Sequence, residues 1–509
     1  MPSAAGDSPA YDKKRDAFHT ISMKLTEIRR RLLSDLGESS DLTVFEGRVG
    51  ETPCIYAAFE ALVDKELLES GVIKPLAAYK GAPKDLANAT YTIAPVKRLK
   101  KLAEAEKEIC EGGTALFLED EKEIYLFSVK KWERRSVSEP PTSSVLKGPR
   151  EGFTEDINVN TSLLRRRLRD KHLIIRESTF GRYSGTAVAV CYLSNVAAKE
   201  TVDLLNERLS HIDIDGIIDS SYITKFIEDD PSSLFPQVGS LEKPDVVAAK
   251  LLEGRVAILV DGSPIALTVP HLLIESFQDS QDYFKRNSRV TVTRFLRLFG
   301  AMIALFLPAV FVAVQEFQYQ ILPLKFLITI LNSTNGTPLS PTLEMVLVLI
   351  IFDILNEASV RMPRYVGMAL SIVGAIVLGE TAVSAGLLSS PAVLVTALSS
   401  IGLYLVPDDV GTYSLLRLVF VATAALLGIL GILFAVALLT RHLVTLQSFG
   451  SDYTSPYAPL AEGDLKDGFV KRELPDMTRR PQSIANQNAT RIKKDAALEK
   501  RLGEAEDED

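Results

Sequence analysis

LRLFGAMIALFLPAVFVAV (296–314), EMVLVLIIFDIL (344–355), YVGMALSIVGAIVLGETAVSAGLL (365–388) and LLRLVFVATAALLGILGILFAVALL (415–439) divide this chain of 509 residues in two. A bilayer core about 30 Å thick takes about 20 mainly apolar residues of helix to cross. The runs reach or approach that length, and nothing before residue 290 does. The sequence therefore predicts a soluble N-terminal half followed by an all-α polytopic membrane domain. A large soluble part on a compact membrane part fits a receptor, a channel or a transport component better than a simple enzyme.

Arginine and lysine set the expected orientation. Lys285, Arg286, Arg289, Arg294 and Arg297 surround the start of the first run, Arg361 and Arg364 follow the second, and Arg441 opens a basic, polar tail. The loops near 319–340 and 406–413 are poor in positive charge. Both termini are expected in the cytoplasm, with four full crossings at about 296–317, 342–358, 365–387 and 414–440. The pieces ILPLKFLITILN (321–332) and PAVLVTALSSIGLYLV (391–406) are short for a crossing. They read as re-entrant half-helices on the outer side, which survive at membrane depth only when buried in protein or lining water.

Within the third run, Gly367, Ser371, Ala375 and Gly379 recur at helical spacing. Such a small-residue stripe lets a second helix approach closely. Glu380 lies beside it, deep in apolar sequence. A carboxylate there costs at least about 2.5 kcal/mol on insertion scales and turns to a cavity, a partner or water. Glu380 is thus the first candidate for lining or gating an ion path, against the plainer reading of a structural hydrogen bond between helices. Asp353 is the second candidate. With Glu344 and Lys325 it lies nearer a span end, where snorkelling is easy.

The soluble half repeats itself. CIYAAF (54–59) leads into ALVDKELLESGVIKPL (61–76), as TAVAVCYL (186–193) leads into NVAAKETVDLLNERL (195–209). CEGGTALFLEDEKEIYLFSV (110–129) is matched by LEGRVAILVDGSPIALTV (252–269), each an apolar strand, an acidic turn and a return strand. Strand–helix–hairpin units in the same order predict two related α/β subdomains. The expected organisation is an amphipathic helical extension over 1–40, with Ile21, Leu25, Ile28 and Leu32 at helical spacing, and subdomain 1 over 41–140. A linker helix with subdomain 2 fills 141–285, the membrane domain 286–447, and a largely disordered cytoplasmic tail 448–509. Between the repeats, a helix from Asn160 to Leu168 carries Arg165, Arg166 and Arg167 and is followed by Arg169. This basic run is read as an interdomain or subunit contact, or as a solvated face.

Several functions find no support. The net charge is −8, so nothing points to nucleic acid. His19, His172, His211, His271 and His442 form no metal-ligand spacing, and no phosphate loop or nucleophile elbow is present. Asp213, Asp215 and Asp219 read as a polar strand edge and turn. Cys54, Cys110 and Cys191 are far apart and odd in number, which suggests buried thiols in a reducing compartment. The polar first 20 residues lack the apolar core of a signal peptide, so the N-terminal half is expected to stay in the cytoplasm. No catalytic, cofactor or metal site is expected.

Longer strings carry a resemblance. SVSEPPT (136–142), GPREGFTEDINVNTSLLRRRLRD (148–170), GETAVSAGLLSSPAV (379–393), SFGSDYTSPYAPL (448–460) and DLKDGFVKRELPDMTRRPQSI (464–484) resemble the A subunit of GerA-type spore germinant receptors, a family that includes SpoVAF-like paralogues. Where that family usually has Gly-Gln or Gly-Asp, this chain has Gly379-Glu380. The resemblance implies a multi-pass protein of the endospore inner membrane, with a two-part cytoplasmic domain. It implies a transporter-like B subunit and a lipoprotein C subunit as partners. It further implies a homo-oligomer that forms or gates a cation path to trigger germination. A secondary transporter component and a non-conducting scaffold or SpoVAF-like accessory subunit remain the alternatives.

Overall fold

The computed structural model describes residues 24–81, 86, 96–130, 147–361, 379–406 and 409–492. Alternation along the strands builds the first α/β unit. In β2 (Thr52–Phe59), Ile55, Ala57 and Phe59 face one side of the sheet, and Cys54, Tyr56 and Ala58 the other. Both faces are buried, so helices must cover both. On one lie α1 (Leu25–Asp35) and α3 (Leu102–Cys110), through Ile28, Leu32 and Ile109. On the other lies α2, residues 65–77, through Val72 and Leu76; its middle, Glu69–Ile73, is a π-helical stretch. The remaining strands are β1 (Leu42–Val49), β3 (Val96–Leu99), β4 (Thr114–Leu118) and β5 (Ile124–Phe127), all antiparallel in the order β1-β2-β4-β5-β3.

The second unit repeats this plan strand for strand. β6 (Leu173–Phe180), β7 (Thr186–Leu193), β8 (Gly239–Leu241), β9 (Val256–Val260) and β10 (Ala266–Val269) pair in the order β6-β7-β9-β10-β8. One face carries α4 (Ile157–Arg167) and α7 (Pro244–Glu253); the other carries α5 (Lys199–Ser210) and α6 (Ser220–Ile227). Helix α1 precedes β1 as α4 precedes β6, and both are packed into a core. The segment expected as an extension therefore contributes a core helix; its Ile21 lies outside the described residues. The turn after α1 runs along β6, where Ser40 N donates to the Ile175 carbonyl at 2.8 Å and Ser39 Oγ accepts from Ile175 N at 2.9 Å.

Beyond the second unit the chain is helical. The long helix α8 (Asn287–Glu316), at 1.5 Å per residue, runs about 45 Å. It is followed by α9 (Leu324–Thr334), α10 (Pro341–Arg361), α11 (Ser390–Leu403), α12 (Val410–Leu427) and α13 (Ile429–Thr445). Two of these are long and apolar enough to cross a membrane, α8 at mean hydropathy 2.2 and α12 at 1.7; α9, α11 and α13 are shorter apolar helices.

Side-chain contacts fix the direction of each helix. Thr342, at the start of α10, donates to Glu316 at the far end of α8. Gln318 meets Gly428 and Ile429 at the same far end. Gly402, near the end of α11, abuts Gly300 in the middle of α8, and Ser399, one turn earlier, meets Ala304 one turn later. At the end nearer the α/β units, Thr412 donates to the Leu234 carbonyl at 2.7 Å and His442 lies 3.0 Å from Ser233 Oγ. Helices α8 and α12 thus run away from the α/β units, and α10, α11 and α13 run back. Arg361 ends α10 near the units, whereas Ser389 N donates to Glu344 at the other end of α10.

Two expectations change. The single helix expected over 414–440 is a hairpin: α12 and α13 meet at Gly428, whose φ of +62° and ψ of −140° suit only glycine. The tail expected to be largely disordered is folded as far as residue 492. β11 (Gln447–Ser448) pairs with β12 (Ser451–Asp452), Phe449 enters the core of the second unit, Tyr453 is fully buried, and Asn486 bridges to Ala197. Its scattered apolar residues have no period because they pack against other elements rather than against each other.

Candidate functional site

A polar seam crosses the helical bundle, and a proline starts it. Pro308 lies inside α8 and has no amide hydrogen, so the Ala304 carbonyl one turn earlier loses its helical donor. Ser399 Oγ of α11 donates to that carbonyl at 2.8 Å. Arg417 of α12 reaches the same Ser399 Oγ at 3.3 Å and pairs with Asp353 of α10. Ser414 Oγ completes the seam, donating to Asp353 at 2.7 Å. The Arg417 side chain has no solvent exposure, while that of Asp353 retains 32%. Four helices are therefore tied through one guanidinium. A buried charge is tolerated only when paired and hydrogen-bonded, so these contacts restrict how the helices can slide.

Close backbone approach holds the same layer. A Cβ on Gly402 would stand 2.4 Å from the Gly300 carbonyl oxygen, and one on Gly431 would stand 2.0 Å from that of Thr423. Both glycines mark helix–helix contacts that no larger residue fits. Of the expected stripe, Gly367, Ser371 and Ala375 lie outside the described residues; Gly379 is half-buried with Val393 nearby. Glu380 is exposed on the single chain. Asp353 does not snorkel to a helix end; it is held by Arg417 and Ser414.

A second ionic cluster joins the bundle to the α/β region. Asp282, just before α8, accepts from Arg294 Nε at 3.1 Å and from Arg297 at 2.8 and 3.0 Å. Arg294 continues to Asp467 of the C-terminal segment at 3.0 Å, and Tyr283 donates to the same carboxylate at 2.7 Å. Lys471 donates to the Asp282 carbonyl and sits 4.3 Å over the Tyr283 ring. Burial alone would raise the Asp282 carboxyl, but Arg297 and Arg294 outweigh it and hold it below its ordinary range. Burial also depresses the Lys471 ammonium, which Asp467 only partly offsets. Nearby, Glu275 accepts from Arg255 at 2.8 Å and pairs with Lys250 and His271. Burial would raise Glu275 too, and the charges of Arg255, Lys250 and His271 keep it well below the usual carboxylate range.

The basic run on α4 divides. Arg165 is almost fully buried, binds Asp41 through Nε and Nη2 at 2.9 Å, reaches Ser39 Oγ at 2.8 Å and lies 3.9 Å over the Phe59 ring. All three partners belong to the first unit. Arg166 and Arg167 hold Glu151 at 2.5 and 2.8 Å, and Arg169 turns back to the Arg166 carbonyl. Among the acidic turn residues, Asp213 pairs with Arg182 and Asp219 caps α6. The three cysteines are free and buried, and burial pushes Cys54 and Cys110 up to about 11. Among the described residues no group of three His, Cys, Asp or Glu side chains could hold a metal ion.

Sequence reasoning passed over Arg417 and the Asp282–Arg294–Asp467 cluster. An arginine inside an apolar run is as costly as a carboxylate, and that signal was there in LLRLVF (415–420). Asp282 and Asp467 gave no comparable signal, since both lie in polar sequence.

A two-unit α/β region is thus joined by ion pairs to a helical bundle, two of whose helices are long and apolar enough to cross a membrane. The sequence model of the Bacillus/Clostridium GerA spore germination protein family matches residues 30–483, and the chain belongs to that family. It is 33% identical to spore germination protein KA of Bacillus subtilis over 93% of this chain and 89% of that one. It is 31% identical to spore germination protein GerLA of Bacillus cereus, over 92% and 96%. Among solved structures, it is similar to the N-terminal domain of the A subunit of the Bacillus megaterium spore germinant receptor GerK3, at 26% identity and a TM-score of 0.40, covering 50% of this chain and 99% of that one.

Proposed function

We propose that this chain is the membrane-embedded A subunit of a spore nutrient-germinant receptor, and that copies of it assemble to form or gate a cation path. The observation that carries the reading is the family match over residues 30–483, which takes in both α/β units, the bundle and the C-terminal segment. A transporter-like B subunit and a lipoprotein C subunit are the partners, and the inner spore membrane is the location.

Helix α8 leaves the α/β units and α13 returns to them, where His442 meets Ser233, so both termini lie on the side of those units. Lysine and arginine before α8, with Arg361 and Arg441 at the same end, favour the cytoplasm for that side. In this frame Glu380 is an exposed carboxylate in a membrane layer. A carboxylate facing acyl chains is unfavourable, so a second copy or a partner subunit is the natural neighbour. One carboxylate per chain in a ring is a device for passing cations.

The test is cation flux from liposomes holding the full chain with its B and C partners, triggered by nutrient. E380Q should lower flux or cation selectivity with insertion and complex size unchanged. Wild-type flux in a correctly assembled E380Q complex would exclude the charge-dependent role. Uptake coupled to substrate would favour a transporter, and the absence of flux in every complex would favour a scaffold.

A further inference from the structure

Where the bundle meets the α/β region there is a cavity of about 280 Å³. Leu298 and Leu305 of α8, Tyr413 and Leu416 of α12, and Leu439 and Leu443 of α13 form its bundle side. Phe235, Phe277, Tyr457 and Phe469 close it from below. The lining is almost wholly apolar: the Tyr457 hydroxyl is already engaged by the Phe469 amide, at 2.9 Å. A cavity of this chemistry gives water few partners. An apolar cavity of about 150 Å³ stays dry and admits benzene, so this one has room for a longer hydrocarbon.

Two observations identify the occupant. Among the lining residues that keep exposure, Leu298, Leu439 and Leu443 mark the bundle side of the mouth. Beside them Phe295, Leu296, Phe299 and Leu438 are exposed on α8 and α13, and Leu460 and Val470 on the C-terminal segment, so the mouth continues into an apolar outer surface. An apolar slot that opens on the exposed apolar surface of the bundle matches the acyl chain of a membrane phospholipid.

We propose that an acyl chain of a membrane phospholipid occupies this cavity and joins α8, α12 and α13 to the C-terminal segment. The proposal rests on the membrane reading of the bundle. It concerns a site between the bundle and the α/β region whose lining includes none of Glu380, Asp353 and Arg417.

The full chain would be reconstituted in vesicles of phosphatidylglycerol and phosphatidylethanolamine that carry a phospholipid with a diazirine on its acyl chain. After photolysis, the labelled residues are mapped by peptide mass spectrometry. Label is expected on cavity residues such as Leu305, Leu416 and Phe277, and on exposed bundle residues such as Phe299. L443W and, separately, L298W should remove the cavity label and spare that on Phe299. Label on Phe299 without any in the cavity overturns the proposal and leaves the membrane reading standing. Cavity label that persists in both tryptophan variants, each with the wild-type elution volume, also overturns it. Displacement of the cavity label by a water-soluble alkanol at low concentration, with no phospholipid retained on purification, would assign the site to a free apolar ligand and overturn the lipid assignment. Absence of label on Phe299 as well would overturn both readings.

Discussion

Single side chains carry much of the connection between parts. Arg165 reaches from one α/β unit into the other, and its contacts with Asp41, Ser39 and Phe59 are buried. Removing one member of a buried pair leaves the other uncompensated, a loss of about 3–5 kcal/mol. R165A should therefore lower the thermal midpoint of the α/β region strongly, while R166A and R169A, whose partners are local, should change it little. Circular dichroism melts of the purified chain would check this. Glu275 makes a pH prediction with a definite sign. Its folded carboxyl titrates well below the ordinary value of 4.5, so its stabilisation is fully present above pH 4.5 and is lost as pH falls through the depressed folded value. Urea unfolding between pH 6 and pH 3 should show a stability loss on acidification that E275Q reduces.

At the scale of elements, the bundle depends on places where helices break or touch. Gly428 turns α12 into α13 with a backbone conformation that strains any residue with a Cβ, and a Cβ there would also meet Gln318 at 2.8 Å. G428A should cost about 1–3 kcal/mol from backbone strain, read as a lower thermal midpoint in detergent. The Pro308 gap in α8 is handled differently, since a side chain from α11 replaces the missing donor. The residues of this layer are legible one at a time, as a proline, a serine and an arginine in apolar runs. Their pairing is not, because Ser399, Arg417 and Asp353 lie on three helices and meet only after packing.

At the scale of the molecule, orientation is the testable consequence. Asn335 lies at the end of α9, at the bundle's far end, and Glu473 lies in the folded C-terminal segment beside the second α/β unit; both are exposed. In intact cells of a bacterial host, N335C should react with an impermeant maleimide from outside, and E473C only after permeabilisation. The three native thiols are buried and should contribute little background. Reaction of E473C from outside would place the termini on the wrong side for the proposed function.

Patterns that are local along the chain were decided by the sequence alone. Period-two alternation in 54–59 and 186–193 yields strands buried on both faces, the repeated order of motifs yields two sheets of one topology, and the apolar runs yield the helices. What required the tertiary structure was everything set by contact between distant residues. As one straight helix, residues 414–440 would run about 40 Å, which a tilted crossing accommodates, so length alone did not call for the turn at Gly428. Opening that helix into a hairpin at Gly428 brings the chain back to the α/β units, where His442 meets Ser233. The C-terminal segment shows the same divide. Its Phe449, Tyr453 and Asp467 have no periodicity of their own, and their partners, among them Arg208, Phe235 and Arg294, come from elements more than 150 residues earlier in the chain. Hydropathy and alternation record how each stretch meets its solvent; which stretch it then meets is decided by packing, which no local pattern encodes.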